Sequence, residues 1–283
     1  MIAPEDDAMT GASKQHRWAA QLYTVRDFTT TESGLRETLH RVAAIGYSGV
    51  QISAARALDS GLVSATTARA MLDESGLTCA ATHRSWDALR ERTDQEIAFH
   101  HALGCDFVAI GSLPGAFRGG ADGYRRFLAE AVPVIAALKA AGIRFGYHNH
   151  EFEFARAENS PNNRGTLFDI FVEEGGADLC LEIDVYWAWH AGVDPALLLS
   201  RSGGRLPLIH LKDRAVVAGQ EPVMAAVGEV NMPWDGIIRA GDAAGVGWYA
   251  VEQDTCPRDP FDCLRSSYDY LASHAFGETS KNP

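Results

Sequence analysis

The segment FGYHNHEFEF, residues 145–154, gathers two imidazoles and two carboxylates within six positions, at His148, His150, Glu151 and Glu153. Imidazole nitrogens and carboxylate oxygens are common ligands of divalent transition metals, and a histidine exchanges protons near neutral pH. Side chains two apart on a strand point to the same face, so His148 and His150 are expected to act together. The segment therefore predicts a place where metal binding or proton transfer occurs.

Further polar residues stand where short apolar runs end. Glu182 and Asp184 are two apart in LCLEID, and His210 and Lys212 have the same spacing in the next apolar run. The polar residues at predicted strand ends are His83, His148, His150, Asp184, His210 and Glu252. Because unpaired buried charges are costly, histidines and carboxylates that converge from four strand ends predict a bound divalent metal.

These side chains need a scaffold that brings strand ends together. Apolar or β-branched runs alternate with longer segments of helical period, and glycines join several helix ends to the next strand. The strand candidates are AAQLYTV, GVQIS, TCAATH, FVAIG, RFGYH, LCLEID, PLIHL and WYAVEQ. Units of about 35 residues match a single (β/α)8 TIM barrel, whose active site lies at the C-terminal ends of its strands. A doubly wound open sheet is the alternative, but GxGxxG is absent after the first strand.

Composition narrows the class of protein. The barrel is predicted over residues 17–276, between polar tails at residues 1–16 and 277–283. No run of roughly eighteen apolar residues occurs, so no membrane span is expected, and the polar N-terminus does not resemble a signal peptide. The five cysteines lack metal-type pair spacing, and Cys79, Cys105 and Cys180 are expected to be small buried core residues, which fits a cytoplasmic protein. A net charge of −12 disfavours nucleic acid as a partner.

Several of these residues also fit ordinary structural roles. A histidine at a strand end is commonly a hydrogen-bonded structural residue, and Glu182 fits a buried charge inside the barrel. Lys212 and Asp213 fit solvated loop charges. Arg26 and Arg84 would hold a phosphate or carboxylate through paired donors, although surface arginines are common. Such structural roles explain a single polar residue better than they explain polar residues at several strand ends together.

The ordered set of motifs carries a family likeness. QLYTVRD, GYHNHEFEF, LEIDVYWAWHAGVDP, IHLKD and GEVNMPWDGII resemble the sugar phosphate isomerase/epimerase proteins of the xylose-isomerase-like TIM-barrel superfamily. The likeness spans roughly Gln21 to Tyr270, nearly the whole chain. That superfamily also contains inosose dehydratases, ketose 3-epimerases, keto-glycoside lyases and an apurinic endonuclease branch.

The resemblance implies a single divalent ion, often manganese, with ligands from strands five to eight. By motif, Asp184 matches the strand-six aspartate, His210 the strand-seven histidine and Glu252 the strand-eight glutamate. His148 stands at the strand-five position, where a glutamate is usual, and Gln51 stands where many relatives carry a strand-two glutamate. A mixed nitrogen and oxygen set suits manganese first and zinc second, and cobalt or iron would also fit.

The resemblance also implies an enzyme that removes a proton next to a carbonyl of a sugar, a keto sugar or a cyclitol. The expected reaction is isomerisation or epimerisation, and the alternative is dehydration or lyase chemistry on a keto sugar, inosose or 3-keto-glycoside. The predicted catalytic residues are His150, Glu252, Lys212 and Glu153. The predicted substrate contacts are His83, Trp187, Arg26 and Tyr23. Because ketose epimerases use carboxylates on strands five and eight, a strand-five histidine favours chemistry with one acid and one base.

Two other classes of function have less support. An abasic-site endonuclease would need further metal ligands and a basic face, but Trp187 stands where that branch has a histidine and the net charge is acidic. A non-catalytic sugar-binding barrel would not need to keep Asp184, His210 and Glu252. We therefore expect a small-molecule substrate, no nucleic acid and no membrane partner, and the sequence leaves a homo-oligomer open.

Overall fold

A computed structural model of the chain describes residues 16–158 and 165–274. The predicted tails, residues 1–16 and 277–283, lie outside the described residues except for His16. The Nε2 atom of His16 lies 2.9 Å from Asp242 Oδ2, and its ring stacks on Trp18. This residue therefore packs against the barrel.

Eight parallel strands form the predicted barrel, which confirms the fold. In chain order they are β1 (Trp18–Gln21), β2 (Gly49–Ile52), β3 (Thr78–His83), β4 (Phe107–Ile110), β5 (Arg144–His148), β6 (Leu179–Glu182), β7 (Leu208–Leu211) and, after a small hairpin, β10 (Trp248–Val251). Their spatial order is β6-β5-β4-β3-β2-β1-β10-β7. The two end strands approach through the parallel bridge between Asp184 and His210, where His210 N donates to Ile183 O at 2.9 Å. The barrel is therefore nearly closed.

Helices cover the outside of the barrel. They are α1 (Glu32–Ile45), α2 (Arg56–Asp59), α3 (Ala65–Ser75), α4 (Trp86–Glu91), α5 (Thr93–Leu103), α6 (Ala121–Ala140), α7 (Leu167–Glu174), α8 (Val185–His190), α9 (Pro195–Arg201), α10 (Trp234–Ala244) and α11 (Pro260–Ser273). Within residues 16–158 and 165–274, no helix is both long and apolar enough to cross a membrane.

The first strand is shorter than its apolar run predicts. AAQLYTV suggests a strand to Val25, but β1 ends at Gln21 and a 3₁₀ helix follows over Leu22–Phe28. The side chain of Gln21 accepts a hydrogen bond from Tyr23 N at 3.1 Å, so it caps this turn. Tyr23 and Arg26 consequently lie in a turn over the C-terminal mouth of the barrel.

Small side chains fill much of the narrow barrel interior. Alanines from several strands share this inner cluster with two large rings, those of Phe107 and Trp248. A Cβ atom on Gly146 would lie 2.6 Å from the ring of Phe107, so β5 carries a glycine where that ring packs against it. A second, larger cluster lies between strands and helices. Polar residues are thereby left to the C-terminal strand ends, as this architecture requires.

The interpretation of Lys212 and Asp213 as solvated loop charges is wrong. Their side chains are buried, at 1% and 0% exposure. Asp213 begins the hairpin of β8 (Asp213–Ala215) and β9 (Val223–Ala225). Its carboxylate accepts hydrogen bonds from the indole of Trp234 and from backbone amides of residues 214, 228 and 230–232, at 2.7–3.3 Å. One buried carboxylate therefore holds the whole connection between β7 and α10.

We predict that Asp213→Ala lowers the free energy of unfolding by at least about 3 kcal/mol, because each buried donor left without a partner costs roughly 1–3 kcal/mol. Urea unfolding at neutral pH measures this loss. Asp194→Ala is the control, since Asp194 only caps α9 with hydrogen bonds to two amides, and a cap contributes about 1 kcal/mol. Equal losses in the two variants would contradict the role given to Asp213.

Candidate active site at the mouth of the barrel

Four predicted metal ligands converge at the C-terminal mouth. His148 ends β5, Asp184 follows β6, His210 lies in β7 and Glu252 follows β10. Each residue offers one ligand atom, and the four atoms lie within 4.8 Å of one another. All four side chains are buried. The parallel barrel therefore brings together residues that are as far as 104 positions apart in the chain (252 − 148).

Asp184 is fixed by the helix that follows it. Its Oδ1 atom caps α8 by accepting hydrogen bonds from Tyr186 N at 2.9 Å and Trp187 N at 3.2 Å. Its buried Oδ2 atom has no hydrogen-bond partner in the described part of the chain, although Lys212 Nζ lies 3.0 Å away. Burial raises the pKa of Asp184 to about 6 and outweighs the opposing effect of Lys212. Oδ1 therefore stabilises the start of α8, and Oδ2 faces the site.

His210 lies between two carboxylates. Its Nδ1 atom is 2.8 Å from Glu252 Oε2, and its Nε2 atom is 3.1 Å from Glu182 Oε1. Burial alone would lower the pKa of His210, but Glu182 and Glu252 together raise it to about 10. Burial likewise opposes ionisation of Glu252, yet Lys212 and His210 hold the pKa of Glu252 well below its usual value.

Lys212 supplies a buried positive charge to the same cluster. Its Nζ atom lies 2.7 Å from Glu252 Oε2, 3.0 Å from Asp184 Oδ2 and 3.0 Å from Asp254 Oδ2. Burial by itself would lower the pKa of Lys212, but these three carboxylates raise it well above the usual value. The ammonium group is therefore retained next to two of the predicted metal ligands.

Glu182 occupies a more central place than the sequence indicated. It is fully buried at the end of β6, and its Oε1 atom contacts His83 Nε2 and lies 3.3 Å from His148 Nδ1. Its Oε2 atom accepts a hydrogen bond from Gln51 Nε2 at 2.7 Å. The histidines hold the pKa of Glu182 well below its usual value, although burial opposes this. The two-residue spacing from Asp184 was the signal that could have identified it.

An amide side chain missed by sequence reasoning joins β5 to β6. Asn149 is buried, and its Oδ1 atom accepts a hydrogen bond from Asp184 N at 3.0 Å while its Nδ2 atom donates to Asp184 O at 3.4 Å. The segment after His148 is thereby tied to the backbone of a predicted ligand. Asn149 positions Asp184 without contributing a charge.

His150 lies at the edge of the cluster rather than inside it. Its ring stacks on Phe152, with centroids 5.7 Å apart, and lies 5.6 Å from the ring of Trp187. Its Nδ1 atom is buried and lacks a hydrogen-bond partner among the described residues. Burial, with a further contribution from Lys212, lowers the pKa of His150 to about 4. The imidazole is therefore neutral at physiological pH and able to accept a proton.

Glu153 lies in the turn that follows this segment, and its carboxylate accepts hydrogen bonds from residues outside the predicted ligand set. Its Oε1 atom accepts a hydrogen bond from the hydroxyl of Tyr147, and its Oε2 atom accepts one from His150 N at 2.8 Å. Burial raises the pKa of Glu153 to about 7, despite these hydrogen bonds. Its place in the structure is that of a support for the His150 backbone. Glu151, in contrast, is exposed.

The four predicted substrate contacts lie around the mouth in different ways. His83 contacts Glu182 and stacks near His210, with ring centroids 5.6 Å apart, so it belongs to the central cluster. The ring of Trp187 lies 5.7 Å from Lys212 Nζ. Arg26 lies over the ring of Tyr23 and donates to two backbone carbonyls, at 2.7 and 3.3 Å.

The predicted ligand residues fit a divalent ion. Two imidazoles and two carboxylates form a mixed set that suits manganese, zinc, cobalt or iron. Asp184 Oδ2, buried and without a hydrogen-bond partner in the part of the chain that is described, is an atom that such an ion would satisfy. The set would hold the ion through one atom from each residue and leave its other positions to water or substrate.

We predict a pH-dependent difference in stability between the wild type and Glu153→Gln. The folded state keeps the carboxyl proton up to a pKa of about 7, whereas the unfolded chain releases it near 4.5, so wild-type stability falls as pH rises between these values. Relative to the variant, the wild type should lose as much as about 3 kcal/mol, at roughly 1.4 kcal/mol per pKa unit. Chemical denaturation at pH 4.5 and 7.5 measures the difference.

Glu174→Gln is the control with the opposite sign. Hydrogen bonding to Arg125 lowers the pKa of Glu174, so its contribution to stability is present at neutral pH and is lost on acidification. If Glu153→Gln instead loses stability against the wild type as pH rises, the account of Glu153 is wrong.

The family model described as a xylose isomerase-like TIM barrel matches residues 39–273. No curated protein matches the chain. Among solved structures, a sugar phosphate isomerase/epimerase from Parabacteroides distasonis aligns over 97% of this chain and 99% of its own, with a TM-score of 0.76 and 23% identity. An L-ribulose 3-epimerase aligns over 91% and 94%, with a TM-score of 0.68 and 17% identity.

A probable 3-DHS dehydratase from Bacillus anthracis aligns over 92% of this chain and 100% of its own, with a TM-score of 0.67 and 11% identity. At these identities the solved structures establish the fold, while the family model covers most of the chain. With eight parallel strands around one polar mouth and a family match from the first helix to the last, the chain belongs to the xylose isomerase-like TIM barrel family.

Proposed function

We propose that this protein is a divalent-metal-dependent enzyme that isomerises or epimerises a sugar or keto sugar by removing a proton next to a carbonyl. The observation that carries the proposal is the convergence of His148, Asp184, His210 and Glu252, whose ligand atoms lie within 4.8 Å of one another in a buried mouth. Family membership supports the substrate class, because the aligned structures include an epimerase and a dehydratase.

When bound, the divalent ion would supply Lewis-acid polarisation, which acidifies the C–H bond next to a sugar carbonyl. His150 is the base we assign to that proton. Its imidazole is neutral because burial lowers its pKa to about 4, and its buried Nδ1 atom has no hydrogen-bond partner within the described ranges. Phe152 and Glu153 fix the ring and the backbone of this residue, so its nitrogen is held in one place.

Lys212 is the acid we assign. Its ammonium lies between Asp184 and Glu252, so it can donate a hydrogen bond to a substrate oxygen bound beside these ligands. Glu252 is assigned to metal binding rather than to proton removal, because its Oε2 atom already contacts Lys212 and His210. Trp187 would form an apolar wall for the sugar, since its ring lies between His150 and Lys212.

One observation favours elimination as a second candidate function. The segment after β5 presents the imidazole of His150, and Lys212 lies across the cluster, so the site offers a neutral base and a charged acid of different types. Removal of the same proton followed by loss of a β-substituent gives dehydration or glycoside cleavage. A base and an acid of this kind serve that reaction without the second carboxylate base of a symmetric epimerase.

We also propose that the substrate is a small molecule and that nucleic acid is not bound. The net charge of −12 opposes binding to a polyanion, and Trp187 presents an indole at the mouth where incision chemistry would need a further ligand. Manganese remains the first choice of ion, with zinc, cobalt and iron as the others.

We predict that Asp184→Ala and His210→Ala each abolish both the bound divalent ion and turnover, because each removes one of four ligands. Elemental analysis of protein purified under metal-replete conditions measures the ion, and a screen of keto sugars measures turnover. Circular dichroism checks that the barrel survives. A wild type that binds no divalent ion, or variants that keep it, would contradict the proposed function.

We predict that His150→Gln keeps the ion but slows exchange of the substrate C–H proton with D2O by about 10²–10⁴-fold, the usual contribution of a general acid or base. Proton NMR of the substrate follows this step whether the product arises by isomerisation or elimination. His40→Gln, at an exposed histidine of α1, is the matched control. Exchange at the wild-type rate in His150→Gln would transfer the role of base to Glu252.

A further inference from the structure

The two histidines of the proposed metal set face the site with different ring nitrogens. His148 approaches Asp184 Oδ2 with Nε2, at 3.9 Å, whereas His210 approaches it with Nδ1, at 3.8 Å. Metal binding at these atoms requires a lone pair on each of them. The proton of each neutral ring must then reside on the other nitrogen, Nδ1 in His148 and Nε2 in His210.

Those other nitrogens face one carboxylate oxygen. His148 Nδ1 lies 3.3 Å and His210 Nε2 lies 3.1 Å from Glu182 Oε1. His148 Nδ1 is buried and makes no hydrogen bond within the described residues, and the carboxylate that faces it, at 3.3 Å, is that of Glu182. Ligand histidines commonly donate their second ring N–H to a carboxylate, which fixes the tautomer and the ring orientation.

We infer that Glu182 is a positioning residue that sets opposite tautomers in His148 and His210 and thereby aims both rings at one divalent ion. The inference rests on the metal-dependent function proposed above. Glu182 is fully buried, and its second oxygen is held by Gln51 Nε2 at 2.7 Å. Gln51 therefore fixes Oε2, and Oε1 faces the rings of His148 and His210 together with that of His83.

A second interpretation of the same atoms makes Glu182 itself a metal ligand. His83, His148, Glu182 and His210 also offer four atoms within 4.8 Å of one another. The contact of His210 Nε2 with Gln51 Oε1, at 2.5 Å, opposes this arrangement, because an amide oxygen accepts a hydrogen bond and so places the proton on that nitrogen. Two acceptors, Gln51 and Glu182, thus face Nε2 of His210. Its Nδ1 atom lies 2.8 Å from Glu252 Oε2, and a divalent ion bound to both groups would replace the proton in that contact.

The first test needs no variant. Zinc is diamagnetic, so nitrogen NMR of the zinc-loaded wild type, labelled with ¹⁵N-histidine, reports the protonated nitrogen of each ring. We expect Nδ1–H in His148 and Nε2–H in His210. The same tautomer in both rings, or the opposite assignment, would overturn the inference even if the enzyme is active. The expected tautomers in a protein without sugar turnover would instead leave the inference standing and count against the proposed function.

The second test removes the charge of Glu182. We expect Glu182→Gln to bind zinc about 10–100-fold more weakly than the wild type in a chelator competition, as is usual when an outer partner of a ligand is lost, and to disturb both tautomers. Glu96→Gln is the matched control, since Glu96 is a buried carboxylate that pairs with Arg84 outside the barrel. It should bind zinc like the wild type.

Two outcomes of this titration oppose the inference. Unchanged zinc affinity and tautomers in Glu182→Gln would show that the carboxylate does not position the rings. Loss of zinc in both Glu182→Gln and His83→Asn, together with retention in Asp184→Asn, would make Glu182 a ligand instead. Thermal unfolding of each variant separates these results from misfolding, and the tautomer measurement on the wild type holds in any case.

Discussion

The organisation of the barrel mouth depends on buried negative charge. Glu182, Asp184 and Glu252 are all at most 4% exposed. Asp184 and Glu252 each have a ligand atom within 4.8 Å of His148 and His210, and Glu182 approaches the same two histidines from a second group of ligand atoms. Carboxylates removed from water must be paired or bound to a metal, since their desolvation is otherwise too costly. Lys212 provides a positive charge in direct contact with Asp184 and Glu252. Without a metal, Glu182 and Glu252 raise the pKa of His210 to about 10, so its imidazolium is a second positive charge that a bound ion would replace. The positions of the amides, the helix caps and the divalent ion we propose all follow from this requirement.

In Asp184 and Glu182, the two oxygens of the buried carboxylate have different partners. Asp184 uses Oδ1 to cap α8 and presents Oδ2 to the cluster. Glu182 gives Oε2 to Gln51 and presents Oε1 to the histidines. One oxygen therefore fixes the side chain through backbone or amide donors, and the other has the charge and direction that the site needs. Asn149 adds a further restraint, because it binds the backbone N–H and C=O of Asp184.

The sequence alone was sufficient for the barrel and for the strand ends that meet at its mouth, because alternation, glycine joins and two-residue spacing are local signals. It was not sufficient for pairings across the barrel. The contact of Gln51 with Glu182 joins residues 131 positions apart, and no feature of the sequence near either residue predicts the other as its partner. Arg84 has the paired donors expected of an anion site, yet both hold the internal carboxylate of Glu96, at 2.8 and 2.9 Å. Local patterns identify a donor, whereas the fold decides its acceptor.

The charge of the site depends on whether position 148, at the end of β5, is a histidine or a glutamate. With two carboxylates, Asp184 and Glu252, and two neutral imidazoles, a divalent ion and its ligands have a formal charge of zero. A glutamate at position 148 would make that charge negative by one and would weaken the pull of the ion on a carbonyl oxygen. It would also place a second carboxylate beside Glu182, whose Oε1 atom now lies 3.3 Å from a ring nitrogen of His148. Like charges at that distance disfavour ionisation of both groups. The buried Glu182 and the strand-five histidine are therefore compatible with each other in a way that Glu182 and a strand-five glutamate would not be.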